Sequence, residues 1–230
     1  MIRGMVAAAV MWCGLAGTAA ADAPVIVELY TSQGCSSCPP ADAMLQELSE
    51  RDDVIALALH VDYWDYIGWK DSFAHPGHTD RQRGYARAAG ESTIYTPQFV
   101  VGGVDHIVGT QPADLEQQIE AHLAAPDAVE MALVRDGGAV RLTGAAGDLA
   151  GPVDLHMLRY TPAQRVAIRK GENRGRVMDY SNIVSDWQVI GQWDPREALD
   201  LRVDAAGELP VVVIAQRPDH GPILGAVRLR

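Results

Sequence analysis

Two cysteines separated by two residues form the part of the sequence best suited to chemistry. Cys35 and Cys38 flank the spacer Ser36-Ser37 and stand just before Pro39. This spacing lets both sulfurs join in one small disulfide ring. Unsatisfied amides at the start of a following helix would favour a thiolate. We therefore predict thiol–disulfide exchange, with Cys35 as the exposed attacking sulfur and Cys38 as the resolving sulfur.

Two other uses of the cysteine pair stay open. The disulfide could be purely structural, although closing so short a loop adds little stability. The pair could also be half of a metal site, although a zinc site usually needs a second cysteine pair or a matching histidine pair. The third cysteine, Cys13, lies in an N-terminal segment that we expect to be removed.

That N-terminal segment has the pattern of a secretory signal peptide. Arg3 precedes an apolar run over 5–15, and the small residues 19–21 suit a signal peptidase. We predict cleavage of residues 1–21 and a periplasmic or secreted mature protein. No apolar run is long enough to span a bilayer comfortably, so we expect no membrane insertion after cleavage.

The elements that must position the cysteines follow from apolar periodicity and turn residues. We expect, in order, a strand over 24–31, a helix after Pro39, a strand over 54–61, a helix over 79–90, a hairpin around Gly102-Gly103 and a helix from Pro112 to Pro126. The second helix is expected to begin at a capping box, Thr79 to Gln82. This order predicts an α/β thioredoxin-like N-terminal domain over residues 22–126.

The second half of the chain has a different texture. Short segments of alternating apolar and polar residues are separated by glycine-rich turns. We therefore predict a mostly antiparallel, β-sandwich-like C-terminal domain over residues 127–230. We predict a plain hairpin turn for its polar loop 171–176; alternatively, the loop leans over the first domain and contributes to its groove.

Several polar residues should lie near the cysteines, because parallel strands end at a common edge of the sheet. Asp62, Trp64 and Asp65 follow the second strand closely. The two carboxylates could steer protons or bind a cation, and Trp64 could wall a substrate groove together with Ser36 and Ser37. Alternatively, this loop is packed by its own aromatic rings and capped by its aspartates.

The net charge and the spacing of two histidines limit the partners and ligands that we expect the protein to bind. The net charge of -11 disfavours binding to nucleic acid. His75 and His78 have a spacing that could ligate a metal, but Pro76 and Gly77 between them indicate a loop, where that spacing is undemanding. We therefore predict no metal ligands there. We also predict no cofactor, because thiol–disulfide exchange requires none.

Five stretches resemble a secreted bacterial family of thioredoxin-like fold, domain of unknown function 1223. They are Glu28–Asp42, His60–Asp65, Gly68–Asp71, Tyr95–Gln98 and Arg169–Asn173. The resemblance covers essentially the whole mature chain and implies a thioredoxin-like fold and export. The family has no settled activity, so the resemblance does not identify a substrate.

The wider thioredoxin superfamily implies two further roles. Its members place a cis-proline beside the disulfide, which here would be Pro97, with the backbone of Thr96 exposed for pairing with a substrate. Glu28 stands close to the position of the buried acid that accepts the proton of the resolving thiol. Gly34 and the Ser-Ser spacer depart from ordinary thioredoxins, which leaves the direction of electron flow open.

Three functions compete on this reading. The first is an exported thiol–disulfide oxidoreductase that acts on protein or small-molecule thiols without a cofactor. The second is a periplasmic copper-handling protein that combines the cysteine pair with a histidine. The third is a non-catalytic binding module in which the disulfide is idle.

Overall fold

The structure, a computed structural model, describes residues 24–125 and 128–230. Helices are α1 (Pro39–Ser49), α2 (Pro76–Ala88) and α3 (Pro112–Leu123), with a short 3-10 turn at Asp65–Ile67. Strands are β1 (Val25–Thr31), β2 (Val54–His60), β3 (Gln98–Val101), β4 (Asp105–Val108), β5 (Met131–Asp136), β6 (Ala139–Gly144), β7 (Val153–Ala167), β8 (Val177–Trp193), β9 (Leu199–Asp204), β10 (Val211–Gln216) and β11 (Ile223–Leu229).

Eight strands form one mixed sheet in the order β11-β10-β7-β8-β2-β1-β3-β4. β1 and β2 are parallel, with Val25 opposite Val54 and Thr31 opposite His60. Every residue of both strands is buried, as expected for central strands that are covered on both faces. Their apolar composition therefore predicted them correctly.

The predicted fold class is wrong. Strand β8 of the second half lies beside β2, parallel to it, with Ala58 opposite Ile183. Strands β7, β8, β10 and β11 thus extend the sheet begun by β1 to β4, and only β5, β6 and β9 form a separate three-stranded sheet. The chain is a large mixed sheet with few helices, and does not divide into an α/β thioredoxin-like domain and a β-sandwich.

The two faces of the large sheet carry different cores. On one face, α1 and α3 pack against side chains such as Val27 and Leu29 of β1. On the other, Tyr85 of α2 joins the intervening residues Ile26 and Tyr30. Further along the chain, β10 keeps the same alternation, and the three-stranded sheet packs on the side opposite α2. The cysteine pair belongs to the α1 face.

Helix α2 begins earlier than the capping box predicted. Its first residue is Pro76, and the N-cap is His75, whose Nδ1 accepts a hydrogen bond of 3.1 Å from the Gly77 amide. The predicted loop around His75 and His78 is therefore the first turn of a helix. Proline suits that turn because its missing N–H would have no helical partner there.

Two expectations fall outside the described residues. The predicted signal peptide 1–21 lies there, and so does the predicted boundary between residues 126 and 127. Among the helices of the described ranges, none combines the length and apolar character that crossing a membrane requires.

Candidate functional site

The two cysteines form a disulfide in the turn that leads into α1. Their Cα atoms are 5.4 Å apart. Cys38 is the N-cap of α1, and the amide of Asp42 donates the first helical hydrogen bond to the Cys38 carbonyl at 3.0 Å. The spacer residues Ser36 and Ser37 are exposed, so the turn faces solvent through its serines.

The sulfurs themselves are covered. Cys35 is 1% exposed and Cys38 is 0% exposed. Our expectation that Cys35 would be the exposed sulfur is therefore wrong for the disulfide form. Both cysteines are therefore buried while the ring is closed, although the two serines between them are exposed.

The double proline changes what the helix end can offer to a thiolate. Pro39 and Pro40 occupy the first helical positions and carry no N–H groups. A helix beginning with other residues would present these amides to an anion at its N-terminus. The aligned peptide dipoles remain, but fewer direct donors are available than the sequence argument assumed.

The loop between β7 and β8 closes over the cysteine turn. Asn173 is 1% exposed, and its Nδ2 donates to the carbonyls of Gln33 and Cys35 at 3.0 and 2.8 Å. Gly171 and Gly175 flank this contact, with φ of +73° and +87°, conformations that favour glycine. Loop 171–176 therefore leans over the site, which was the alternative to the plain hairpin turn that we predicted.

We expect Asn173→Ala to loosen this contact. The substitution removes the donor of the buried Gln33 carbonyl and leaves the Cys35 carbonyl with only a long bond of 3.4 Å from the Cys38 amide. A buried group left unsatisfied costs about 1–3 kcal/mol. The free energy of unfolding of the oxidised protein in urea should therefore fall by roughly 2 kcal/mol or more. Arg174→Ala, in the same loop but exposed, serves as the control. Equal stability of both variants would contradict this role of Asn173.

Trp64, Thr96 and Pro97 surround the same end of the sheet. The indole of Trp64 donates to Thr96 Oγ1 at 2.7 Å, and the Thr96–Pro97 peptide bond is cis, as the resemblance implied. A Cβ built on Gly109 would lie 2.6 Å from Pro97 Cβ and 3.1 Å from Ala41 Cβ. Pro97 thus lies beside the first turn of α1, with Gly109 between them.

The loop that contains Trp64 and Ile67 explains why residue 34, just before Cys35, is a glycine. A Cβ on Gly34 would lie 3.2 Å from Ile67 Cδ1 and 3.3 Å from Trp64 Cβ, which is closer than ordinary contact. The Trp64 ring stacks on that of Tyr66, whose side chain is 80% exposed. The loop therefore covers the backbone before Cys35 and presents one exposed ring beside it.

The two aspartates of this loop are engaged in hydrogen bonds that hold the loop. Asp62 accepts a 2.6 Å hydrogen bond from the hydroxyl of Thr79, and Asp65 accepts a 3.0 Å bond from the amide of Asp71. These contacts favour the capped-loop interpretation of both aspartates over cation binding.

Glu28 is buried, but on the wrong face for the role that the resemblance implied. It belongs to the α2 face, where Arg81 donates to both carboxylate oxygens at 2.9 and 2.7 Å and Tyr85 donates at 2.8 Å. Burial raises the pKa of Glu28, but the Arg81 charge and these hydrogen bonds outweigh it, so the net pKa is lowered. Glu28 is therefore a partner of Arg81 and does not face the cysteines.

A different acid lies on the cysteine face. Asp42 is 4% exposed and accepts a 2.7 Å hydrogen bond from the hydroxyl of Thr31 through Oδ1, while its Oδ2 has no protein partner. Burial raises the pKa of Asp42 to about 7, against the lowering effects of the nearby His60 and the Thr31 hydroxyl. Sequence analysis missed this residue.

His60 and Asp71 complete the buried polar cluster. Asp71 Oδ2 lies 2.7 Å from His60 Nδ1 and accepts a 2.7 Å bond from the Gln33 amide, so it links the histidine to the cysteine turn. Both side chains are 0% exposed. Burial raises the pKa of Asp71, but His60 and the hydrogen bonds lower it by a larger amount. The net pKa of Asp71 is therefore below its ordinary value. His60 Nε2 has no protein partner.

A signal for Asp42 was present in the sequence. Its position four residues after Cys38, beside Ala41 and three residues before Leu45, places it on the buried stripe of α1. An acid in a first helical turn is ordinarily explained by the helix dipole, which hides its burial. Asn173 lies within Arg169–Asn173, one of the five stretches that resemble the family. Its contact with residue 33 joins positions far apart in the sequence, so no local pattern predicts it.

Within residues 24–125 and 128–230, no group of three or more His, Cys, Asp and Glu side chains is placed to hold a metal ion. The rings of His75 and His78 are 5.5 Å apart. Burial lowers the pKa of His78 to about 4, so this imidazole is neutral at physiological pH.

The fold and site together define a class of protein with a covered disulfide at the start of the first helix, held by a mixed sheet to which both halves contribute. Residues 26–216 match the family described as "Protein of unknown function (DUF1223)". The chain therefore belongs to this family. No curated protein matches it.

Two solved structures are similar to the chain. One is the crystal structure of a protein from Agrobacterium tumefaciens, 32% identical, with a TM-score of 0.79 over 91% of this chain and 95% of that one. The other is HBP35 of Porphyromonas gingivalis, 15% identical, with a TM-score of 0.58 over 90% of this chain and 75% of that one. The second likeness concerns the fold alone.

Proposed function

We propose that the protein is exported and catalyses thiol–disulfide exchange at Cys35 and Cys38, with protein or small-molecule thiols and disulfides as substrates. The observation that carries this proposal is the closed disulfide in a serine turn at the start of α1. A ring this small constrains very little chain, so stabilisation is a weak reason for its presence. A buried acid and histidine behind it suit proton transfer.

The proposed exchange between the protein and its substrate proceeds in two steps. The Cys35 thiolate attacks a substrate disulfide, which forms a mixed disulfide and releases one substrate thiolate. Cys38 then loses its proton and attacks Cys35 Sγ, which closes the Cys35–Cys38 bond and releases the second substrate thiolate. The substrate is reduced by two electrons and the cysteine pair is oxidised by two; the reverse sequence oxidises a dithiol.

Because the disulfide form covers both sulfurs, the proposal requires Cys35 to become accessible after reduction. We expect brief treatment of the reduced, folded protein with iodoacetamide to alkylate Cys35 about tenfold faster than Cys38, since Cys38 is held as the N-cap of α1. Mass spectrometry of the cysteine peptide measures both rates, with Cys35→Ala and Cys38→Ala as controls. Protection of both sulfurs until the protein is denatured would show that the disulfide is structural.

Substrates can be captured with Cys38→Ala, which cannot resolve the mixed disulfide. We expect covalent adducts on Cys35 in periplasmic extracts, released by dithiothreitol and absent from Cys35→Ala. These adducts identify the substrate class, which the geometry of the site does not define.

Ligand binding without catalysis is a second candidate function, which the burial of both sulfurs favours. A cavity of about 580 Å³ lies between α2 and the strands β7, β8 and β10, lined by residues of both halves that include His78, His156 and Trp187. Under this alternative, Cys35→Ala/Cys38→Ala would retain full function in cells.

A further inference from the structure

We propose that Asp42 accepts the proton of the Cys38 thiol when this sulfur resolves the mixed disulfide. The inference rests on the proposed thiol–disulfide exchange and assigns one of its steps to a particular side chain. It replaces Glu28, which lies on the other face of the sheet, with an acid on the face of the cysteines.

The helix brings the two residues together. Asp42 follows Cys38 by one helical turn, as the 3.0 Å bond from the Asp42 amide to the Cys38 carbonyl shows. Cys38 itself has helical φ and ψ of -76° and -31°. Side chains at this spacing are neighbours on one face, and helical side chains lean towards the N-terminus. Asp42 therefore lies one helical turn after Cys38, on the helical face that carries Cys38.

Each element that packs around Asp42 places a polar or titratable side chain near it. These side chains are Cys38 on α1, Thr31 on β1, His60 on β2, Asp71 in the loop before α2, Tyr180 and Asp179 on β8, and Arg176 just before β8. Three buried polar atoms of this set have no protein partner: Asp42 Oδ2, His60 Nε2 and the Tyr180 hydroxyl. Unpartnered atoms of this kind call for an explanation, and transient proton binding supplies one.

The acidity of Asp42 suits the transfer. Burial raises its pKa to about 7, whereas an ordinary thiol has a pKa of about 8.5. A carboxylate with so high a pKa is a stronger base than an exposed aspartate, and the proton transfer from a thiol is correspondingly less uphill.

The proton also has a route to solvent. A surface groove of about 410 Å³ between α1 and the beginning of β8 is lined by Asp42, Gln46, Arg176 and Asp179. In the proposed step, Cys38–SH and Asp42–COO⁻ become Cys38–S⁻ and Asp42–COOH. The thiolate attacks Cys35 Sγ, and the Asp42 proton leaves through this groove.

The test follows one equivalent of 5,5′-dithiobis(2-nitrobenzoate) reacting with the fully reduced protein in stopped flow. Attack by Cys35 releases the first thionitrobenzoate, and resolution by Cys38 releases the second. We expect Asp42→Asn to slow the second phase about a hundredfold at pH 7 and leave the first phase within about twofold. In the wild type, the rate of the second phase should rise with pH as Asp42 ionises. In Asp42→Asn the rate should rise only at the higher pH at which the Cys38 thiol itself ionises.

Two further variants make the result specific. Thr31→Val removes the hydrogen bond that stabilises the carboxylate, so it should move the midpoint of the second-phase pH profile upward. Glu47→Gln removes an exposed carboxylate from the same helix and should leave both phases unchanged. An unchanged second phase in Asp42→Asn would overturn the proton-acceptor assignment and leave the exchange function intact. Absence of the first phase in the wild type would overturn both proposals.

Discussion

Arg81→Met is expected to lower the free energy of unfolding by about 3–5 kcal/mol at pH 7, because it leaves the Glu28 carboxylate buried without its cation. Arg81 is 7% exposed and Glu28 is 0% exposed. The same guanidinium also donates to Tyr85 and Gln216 and lies 4.0 Å from the centroid of the Trp187 ring. Urea denaturation of the oxidised protein measures the loss.

The pH dependence of this loss has a definite sign. In the wild type the pKa of Glu28 is lowered, so the stability that its charge contributes is present above the ordinary carboxyl pKa and is lost as the pH falls through the folded value. In Arg81→Met, the hydrogen bonds from Tyr30 and Tyr85 to Glu28 remain, but the Arg81 charge that offsets burial is gone, so we expect the pKa of Glu28 to rise. The deficit of the variant should therefore be largest at neutral pH and shrink towards pH 4.

A surface ion pair provides the control. Arg165 donates to both oxygens of Asp179 at 2.6 and 2.9 Å, but the two side chains are 71% and 49% exposed. Arg165→Met should cost no more than about 1 kcal/mol. The double variant Glu28→Gln/Arg81→Met removes both buried charges and should recover part of the loss. A loss in Arg81→Met as small as that in Arg165→Met would contradict the argument.

Asp42→Asn is expected to stabilise the oxidised protein at alkaline pH. Below pH 4 the carboxyl is protonated in both the folded and the unfolded chain. Between pH 4 and pH 7 the unfolded chain loses this proton while the folded chain, with an Asp42 pKa of about 7, retains it. The folded state then binds more protons, so wild-type stability falls as the pH rises, by about 4 kcal/mol in total.

Asparagine does not titrate and keeps an oxygen that can accept from Thr31. The stability of Asp42→Asn relative to the wild type should therefore increase by about 4 kcal/mol between pH 4 and pH 8. Urea denaturation across this range measures the difference, and Glu47→Gln corrects for the loss of one negative charge. A difference that does not change with pH would show that Asp42 ionises freely in the folded protein.

The helices and strands of the first half of the chain could each be predicted from the sequence, because its central strands are buried on both faces. Continuous apolar runs fit β1 and β2, and the glycine pair at 102–103 fits the turn between β3 and β4. The architecture was not predictable from the same runs. An apolar strand has two edges, and nothing in β2 indicates that one of them pairs with residue 183.

The candidate site could be predicted only in part from the sequence. The position of Cys35 and Cys38 before a helix follows from a strand, a loop and prolines in sequence. The face on which an acid lies depends on the pleat of β1, and there Glu28 sits with Tyr30, away from α1. One residue along the strand reverses the side of the sheet, which spacing from the cysteines does not specify.

The pairing of β2 with β8 also has a consequence for how the chain is made. Synthesis delivers residues 54–60 long before residues 177–193 exist. Until then, one edge of an apolar strand has unpaired amide and carbonyl groups, which other chains could add to. Contacts between such distant segments also form slowly. This edge of β2 should therefore stay open to other chains until the second half emerges.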